Sequence, residues 1–125
     1  MRQFSIFLEN KPGRLASLID VLAKNGINVL AMGIAEAGNY GIVRCLLDNE
    51  ERAMTALKDA NMAMNLVDVL ILELKDIKAI VKKLEANAVN IDYAYTMDGG
   101  KIVFKVNDID KAKAVLSENG IKVLN

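Results

Sequence analysis

Histidine and tryptophan are absent from this chain, and cysteine and proline occur once each. Without histidine, neither imidazole acid–base chemistry nor a Ser-His-Asp triad can be built. A structural zinc site, which draws on Cys and His ligands, is excluded within one chain. A lone Cys45 cannot close an internal disulfide, which suits a reducing compartment. Aromatic residues make up only 5% of the chain, too few for a base-stacking platform. Charge of one sign is also missing: sixteen basic residues balance sixteen acidic ones. A nucleic-acid binder normally carries a basic surplus, so no nucleic-acid partner is expected. No apolar run reaches the roughly twenty residues of a membrane span. No basic stretch followed by an apolar one marks a secretion signal. A cytoplasmic protein without membrane, metal or cofactor is the expectation. The acidic residues show no spacing suited to Mg²⁺.

What is present is a repeat. Leu15, Leu18, Ile19 and Leu22 recur as Ile77, Ile80, Val81 and Leu84. Ile27-Asn28-Val29 recurs as Val89-Asn90-Ile91, and Ile42-Val43 as Ile102-Val103. Asp48 returns as Asp108, Leu57 as Leu116 and Met62 as Ile121. Residues 1–67 and 68–125 therefore read as two units. Each has roughly sixty residues, near the lower limit of what folds alone. No linker rich in Gly, Pro or Ser separates them, which argues for a fixed pair.

The first unit reads β-α-β-β-α-β. Phe4 to Leu8 is a short apolar run bounded by a turn, hence a buried strand. The Leu15, Leu18, Ile19, Leu22 spacing makes one helical stripe, expected to face the core. Asn25-Gly26 stops that helix. Strands follow from about Asn28 to Ile34 and from Ile42 to Leu47, around the turn residues Ala37 to Gly41. Asp48 with Glu51 reads as a capping box. Ala53, Ala56, Leu57 and Ala60 then face inward. Residues 62–67 form a weaker fourth strand. The second unit repeats the order, from a first strand at 69–74 to a last one at 121–124. Each unit is expected to be a ferredoxin-like sandwich of the α+β class, with both helices on one face of an antiparallel sheet. Exposed edges invite pairing, so the two sheets are expected to join side by side into one of eight strands.

One stretch has no second copy. The first unit reads Asn10-Lys11-Pro12-Gly13-Arg14-Leu15 where the second has only Lys75-Asp76-Ile77. Pro12 fixes its own backbone and restrains Lys11. Gly13 permits a sharp turn and a close approach by a ligand. A helix start follows, whose free N–H groups attract a carboxylate. Asn10 both donates and accepts, and Asn28 opens the neighbouring strand. An α-amino acid offers one carboxylate and one ammonium to match. A purely structural reading stands beside this one. Pro12-Gly13 then serves as a plain turn, Asn10 as a cap, and Asn28 survives as Asn90 because it satisfies backbone.

The run Leu8-Glu9-Asn10-Lys11-Pro12-Gly13-Arg14-Leu15, a helix, then Gly26-Ile27-Asn28-Val29 resembles the opening of an ACT domain. The likeness covers the first unit and, more weakly, the second, which lacks Pro-Gly and has Ala88 in place of Gly26. The whole resembles a stand-alone tandem ACT protein. That resemblance implies a non-catalytic regulator of amino-acid metabolism that binds an amino acid between ACT units, in a homodimer. It implies contacts at Glu9, Asn10, Lys11, Pro12, Gly13, Arg14 and Leu15, with Asn28, Val29 and Leu30. Asn90 and Ile91 are expected to complete a site from across the interface. The alternative is a regulatory subunit docked on a biosynthetic enzyme, similar to the acetolactate synthase small subunit. An enzyme on this scaffold would need an acid such as Asp92 with a raised pKa.

Overall fold

The computed structural model describes residues 1–125. The chain divides into two compact units, Arg2–Val67 and Asp68–Asn125. The first holds β1 (Arg2–Glu9), α1 (Arg14–Lys24), β2 (Val29–Ala37), β3 (Tyr40–Leu47), α2 (Glu50–Asp59) and β4 (Met64–Asp68). Its sheet has the order β2-β3-β1-β4. β3 is antiparallel to both neighbours, with Phe4 opposite Cys45 and Ile6 opposite Val43. Alternate residues point to one face, so Phe4, Ile6, Leu8, Val43, Cys45 and Leu47 share it. They meet Leu18 and Leu22 of α1 and Ala53, Ala56 and Leu57 of α2 in one core. Both helices therefore lie on that face.

The second unit follows the same plan with β5 (Leu70–Glu73), α3 (Ile77–Ala86), β6 (Ile91–Met97), β7 (Lys101–Val106) and α4 (Ile109–Glu118). A short 3₁₀ turn, Leu74–Asp76, replaces the loop that precedes α1 in the first unit. Its core joins Leu70, Leu72, Ile102, Phe104 and Val106 to Ile80, Leu84, Ala112 and Leu116.

Five readings of the sequence need correction. Residues 121–124 do not form a strand. The Leu124 N–H donates to the Ile71 carbonyl (2.8 Å), and the Asn125 side chain then bridges Ile71 and Val69. The second sheet accordingly has three strands, β5-β7-β6. The strands form two hydrogen-bonded sheets, of four and three strands, in place of one of eight. The α1 stripe is only half buried: Leu18 and Leu22 are in the core, while Leu15 and Ile19 are exposed. α3 repeats this, with Ile80 and Leu84 inside and Ile77 and Val81 outside. Two elements meeting at one seam bury a narrow stripe, not the whole apolar arc. The cap of α2 is Asn49, whose side chain accepts from Arg52 N–H (3.1 Å), and Asp48 serves elsewhere.

The fifth correction concerns the repeat itself. Val43, Cys45 and Leu47 occupy the core positions of Ile102, Phe104 and Val106. Matching Ile42-Val43 to Ile102-Val103 is one residue out, and a one-residue slip in a strand exchanges its faces. With the register restored, Asn49 matches Asp108, the cap of α4, and Asp48 matches Asn107.

All four helices end alike. Gly26, Asn61, Ala88 and Gly120 have positive φ. The next N–H in each case reaches back to a carbonyl five residues earlier: Ile27 to Leu22, Met62 to Leu57, Val89 to Leu84 and Ile121 to Leu116. This is the Schellman arrangement. No helix is long and apolar enough to cross a membrane.

Candidate functional site

The turn after β1 is built around three charges and one glycine. Glu9 closes β1 and is exposed. Its carboxylate meets Lys11 Nζ at 3.1 Å and Arg14 Nη2 at 3.3 Å. The hydrogen bond from Lys11, then the charges of Lys11 and Arg14, hold the Glu9 carboxyl below its ordinary value. Arg14 Nε is shielded from solvent and has no acceptor. Asn10 anchors the turn to the β2–β3 hairpin. Its N–H donates to the Asn39 carbonyl (2.8 Å) and its Nδ2 to the Gly38 carbonyl (3.0 Å). No hydrogen bond engages its Oδ1.

Gly13 caps α1 with φ 91°, and no side chain fills the cap. A left-handed conformation here selects glycine over any residue with a Cβ. A Cβ at Gly13 would meet nothing within 4 Å, so the space above the turn is open. The Ser17 N–H and hydroxyl both take the Gly13 carbonyl, each at 3.0 Å. The Arg14 N–H reaches Lys11 O at 3.4 Å. The Leu15 and Ala16 N–H groups have no backbone acceptor, as expected for the first turn of a helix. Pro12 and Leu15 are exposed beside them.

Asn28, Val29 and Leu30 lie at the start of β2. Asn28 is engaged with Asp48: its N–H donates to Oδ1 (3.0 Å) and its Nδ2 to Oδ2 (2.7 Å). The Asp48 N–H returns a bond to the Asn28 carbonyl at 3.2 Å. Those bonds from Asn28 hold the Asp48 carboxyl below its ordinary value. Val29 and Leu30 are exposed on this edge strand. No hydrogen bond joins these three residues to the turn.

In the second unit Asn90 repeats the clamp. Its N–H donates to Asn107 Oδ1 (2.9 Å), and the Asn107 N–H returns to the Asn90 carbonyl (3.1 Å). Its Nδ2 donates to Asp92 at 2.9 Å. Ile91 next to it is half-buried. Asp92 also accepts from Lys105 Nζ at 2.7 Å. Lys105 first, then Asn90, hold its carboxyl below the ordinary value, opposite to what a general acid needs. Burial pushes the Cys45 thiol up to about 12, so it stays protonated. No cluster of three or more His, Cys, Asp or Glu side chains is placed to hold a metal.

Sequence reasoning missed Asp48 as the partner of Asn28, and Gly38 and Asn39 as the seat of Asn10. The first had a signal, since aligning the units in correct register sets Asp48 over Asn107. Surface hollows of about 450, 660 and 570 Å³ lie along α4, α2 and α3, and none is lined by the turn. At Gly13 the turn is open.

The family model described as an ACT domain pair matches residues 1–125. No curated protein matches the chain. The crystal structure of protein BT0572 from Bacteroides thetaiotaomicron is 35% identical, with a TM-score of 0.91, over 98% of this chain and 90% of that one. The ligand-free regulatory subunit of aspartate kinase from Thermus thermophilus is 16% identical, with a TM-score of 0.64, over 95% and 89%. The corresponding subunit from Thermus flavus is 18% identical, with a TM-score of 0.65, over 93% and 87%. At that identity the two kinase subunits share the fold with this chain.

Proposed function

The chain belongs to the ACT-domain-pair family, and we propose that it is a non-catalytic regulator whose first unit binds an amino acid at the β1–α1 turn. The observation that carries this reading is the pair of unsatisfied N–H groups on Leu15 and Ala16, under open space at Gly13. Those groups and the helix dipole favour a carboxylate. Lys11 and Arg14 add cationic donors beside them. Asn10 Oδ1 and the Glu9 carboxylate supply acceptors for an ammonium. Pro12 keeps the turn stiff, which limits the ordering cost of binding. Val29 and Leu30 present apolar surface for a ligand side chain. Asn28 acts by fixing the start of β2 to Asp48. Asn90 and Ile91 serve a site from the second unit, which has no Pro-Gly turn of its own.

A platform open on one side needs a cover to exclude water. We place that cover at an interface between ACT units in a homodimer. Binding regulates only if the ligand prefers one arrangement of units over another. A small ligand of this kind gives affinity in the micromolar to millimolar range, which suits sensing of a metabolite pool.

Isothermal titration against the twenty amino acids tests this. One amino acid, or a few related ones, is expected to give saturable heat that Arg14→Ala weakens at least tenfold. No heat with any of them up to the millimolar range overturns the reading.

The shared fold with aspartate kinase regulatory subunits supports a second reading, a subunit that docks on an enzyme of amino-acid biosynthesis, similar to the acetolactate synthase small subunit. Affinity capture from the source cell separates the two. A stoichiometric enzyme partner, bound without amino acid, favours docking.

A further inference from the structure

Three dipeptides in the chain set an acid or amide side chain before glycine: Asn25-Gly26, Asp98-Gly99 and Asn119-Gly120. Such a pair can react with itself, because glycine leaves the following backbone nitrogen unhindered beside the side-chain carbonyl carbon. All six residues are exposed. By residue type alone the two Asn-Gly pairs are the reactive ones, since an amide is a better electrophile than an ionised carboxylate.

The structure reverses that order. Asn25 and Asn119 close α1 and α4 and are held in the caps. The Gly26 N–H donates to the Ala23 carbonyl and the Gly120 N–H to the Ser117 carbonyl, both at 3.1 Å. The side-chain amides are tied as well, Asn25 Nδ2 to the Val21 carbonyl and Asn119 Nδ2 to the Val115 carbonyl, both at 2.8 Å. Backbone ψ is 9° at Asn25 and 13° at Asn119. Near zero, ψ sets the next nitrogen beside the residue's own nitrogen and away from Cβ. Cyclisation there requires the cap to open and the Cα–C bond to turn, so it proceeds only from a locally unfolded state.

Asp98 differs in each respect. It lies in the turn between β6 and β7, outside any helix. The Gly99 N–H donates to Asp98 Oδ1 at 2.9 Å, so the carboxyl group is already folded onto the nitrogen that follows it. Gly99 and Gly100 hold φ 78° and 68°, where glycine sits without strain. A Cβ at Gly99 would lie 3.9 Å from Lys101 Nζ, which sets a cation beside the turn. A nearby cation favours the negative charge that develops as an amide proton leaves.

We propose that Asp98 is a modification site, at which the folded chain converts aspartate to isoaspartate while both Asn-Gly pairs stay intact. The Gly99 nitrogen attacks Asp98 Cγ and forms an N–Cγ bond. The nitrogen loses its proton, the Cγ–O bond of the protonated carboxyl breaks, and one water leaves. The product is a five-membered succinimide. Water then adds to one of its two carbonyl carbons. Addition at Cγ restores aspartate. Addition at the main-chain carbonyl carbon breaks its bond to nitrogen, so the chain runs through Cβ and Cγ and the α-carboxylate is free. The main chain is then one carbon longer inside a tight hairpin. That displaces the Met97–Lys101 pair and the Gly100 carbonyl, which accepts from the Leu74 N–H at 2.9 Å. The effect falls on the 3₁₀ turn that stands where the first unit has Pro12-Gly13.

In the test, the full chain is kept for weeks in warm neutral buffer, folded in one arm and unfolded in guanidinium in the other. Peptide mapping by mass spectrometry follows each site: succinimide by loss of water, isoaspartate by its shifted retention, deamidation by its mass gain. Folded, Asp98 is expected to react several-fold faster than Asn25 or Asn119. In guanidinium both asparagines are expected to overtake it. Folding should thus slow the asparagines at least tenfold and leave Asp98 as fast or faster. The aged wild type is expected to unfold at lower urea concentration, a loss that an Asp98→Glu chain, which would need a six-membered ring, does not share. Asn25 or Asn119 reacting ahead of Asp98 in the folded arm overturns the proposal, as does an Asp98 that folding slows.

Discussion

Ala88 carries the clearest strain at the scale of single residues. It holds φ 56° at the end of α3, where Gly26 holds φ 66° at the end of α1. For a residue with a Cβ the left-handed region costs about 1–2 kcal/mol. Glycine gives back part of that through the freer unfolded chain. Ala88→Gly should stabilise the protein by about 0.5–1 kcal/mol in urea denaturation. Gly26→Ala should cost a similar amount, since the added Cβ meets only the flexible end of Arg52, at 3.7 Å. Asp48 yields a pH prediction. Its carboxyl titrates below its ordinary value in the folded chain because Asn28 donates to the charged form. The stabilisation is therefore complete above the unfolded value, near 4, and is lost as pH falls through the lowered folded value. Asp48→Asn should fold, because Asn107 fills the same position in the second unit. Its stability should fall less steeply than the wild type between pH 4 and pH 2 in an acid titration followed by circular dichroism. The importance of Asn28 was legible in the sequence from its recurrence, but its bond to Asp48 was hidden by the misaligned third strand.

Elements show where pattern suffices and where it stops. The order of strands and helices followed from apolar periodicity, and turn chemistry at Asn25-Gly26 and from Ala37 to Gly41 placed the ends. Periodicity could not say how wide an arc of α1 is covered. Leu18→Ala, at a fully buried position, should cost about 2–5 kcal/mol, and Ile19→Ala about 1 kcal/mol or less, in urea denaturation at low chain concentration. The C-terminal segment shows a different limit. Ile121 to Leu124 alternates like a strand, yet the backbone makes one ladder bond and Asn125 completes the edge with its amide. A side chain that imitates a backbone pair leaves no trace in hydropathy. Asn125→Ala strands the Ile71 N–H and the Val69 carbonyl, and should cost about 1–3 kcal/mol by thermal or urea unfolding.

At the scale of the whole molecule, duplication explains both the likeness and the inequality of the units. Each has its own core of two helices against strands, and all four helix ends share the same Schellman bond. They differ where the first has Pro12-Gly13 and the second a short 3₁₀ turn. That difference was visible in the sequence as a stretch without a counterpart. What the sequence withheld was the surroundings of the turn: Asn10 tied to the hairpin and Glu9 held between two cations. The account rests on two amide groups aimed at a carboxylate. Amide chemical shifts, followed while each amino acid is titrated into the labelled protein, test it most directly. The account predicts saturable shifts of Leu15 and Ala16 N–H with the ligand that gives heat. Saturable binding that leaves both signals unmoved would contradict it.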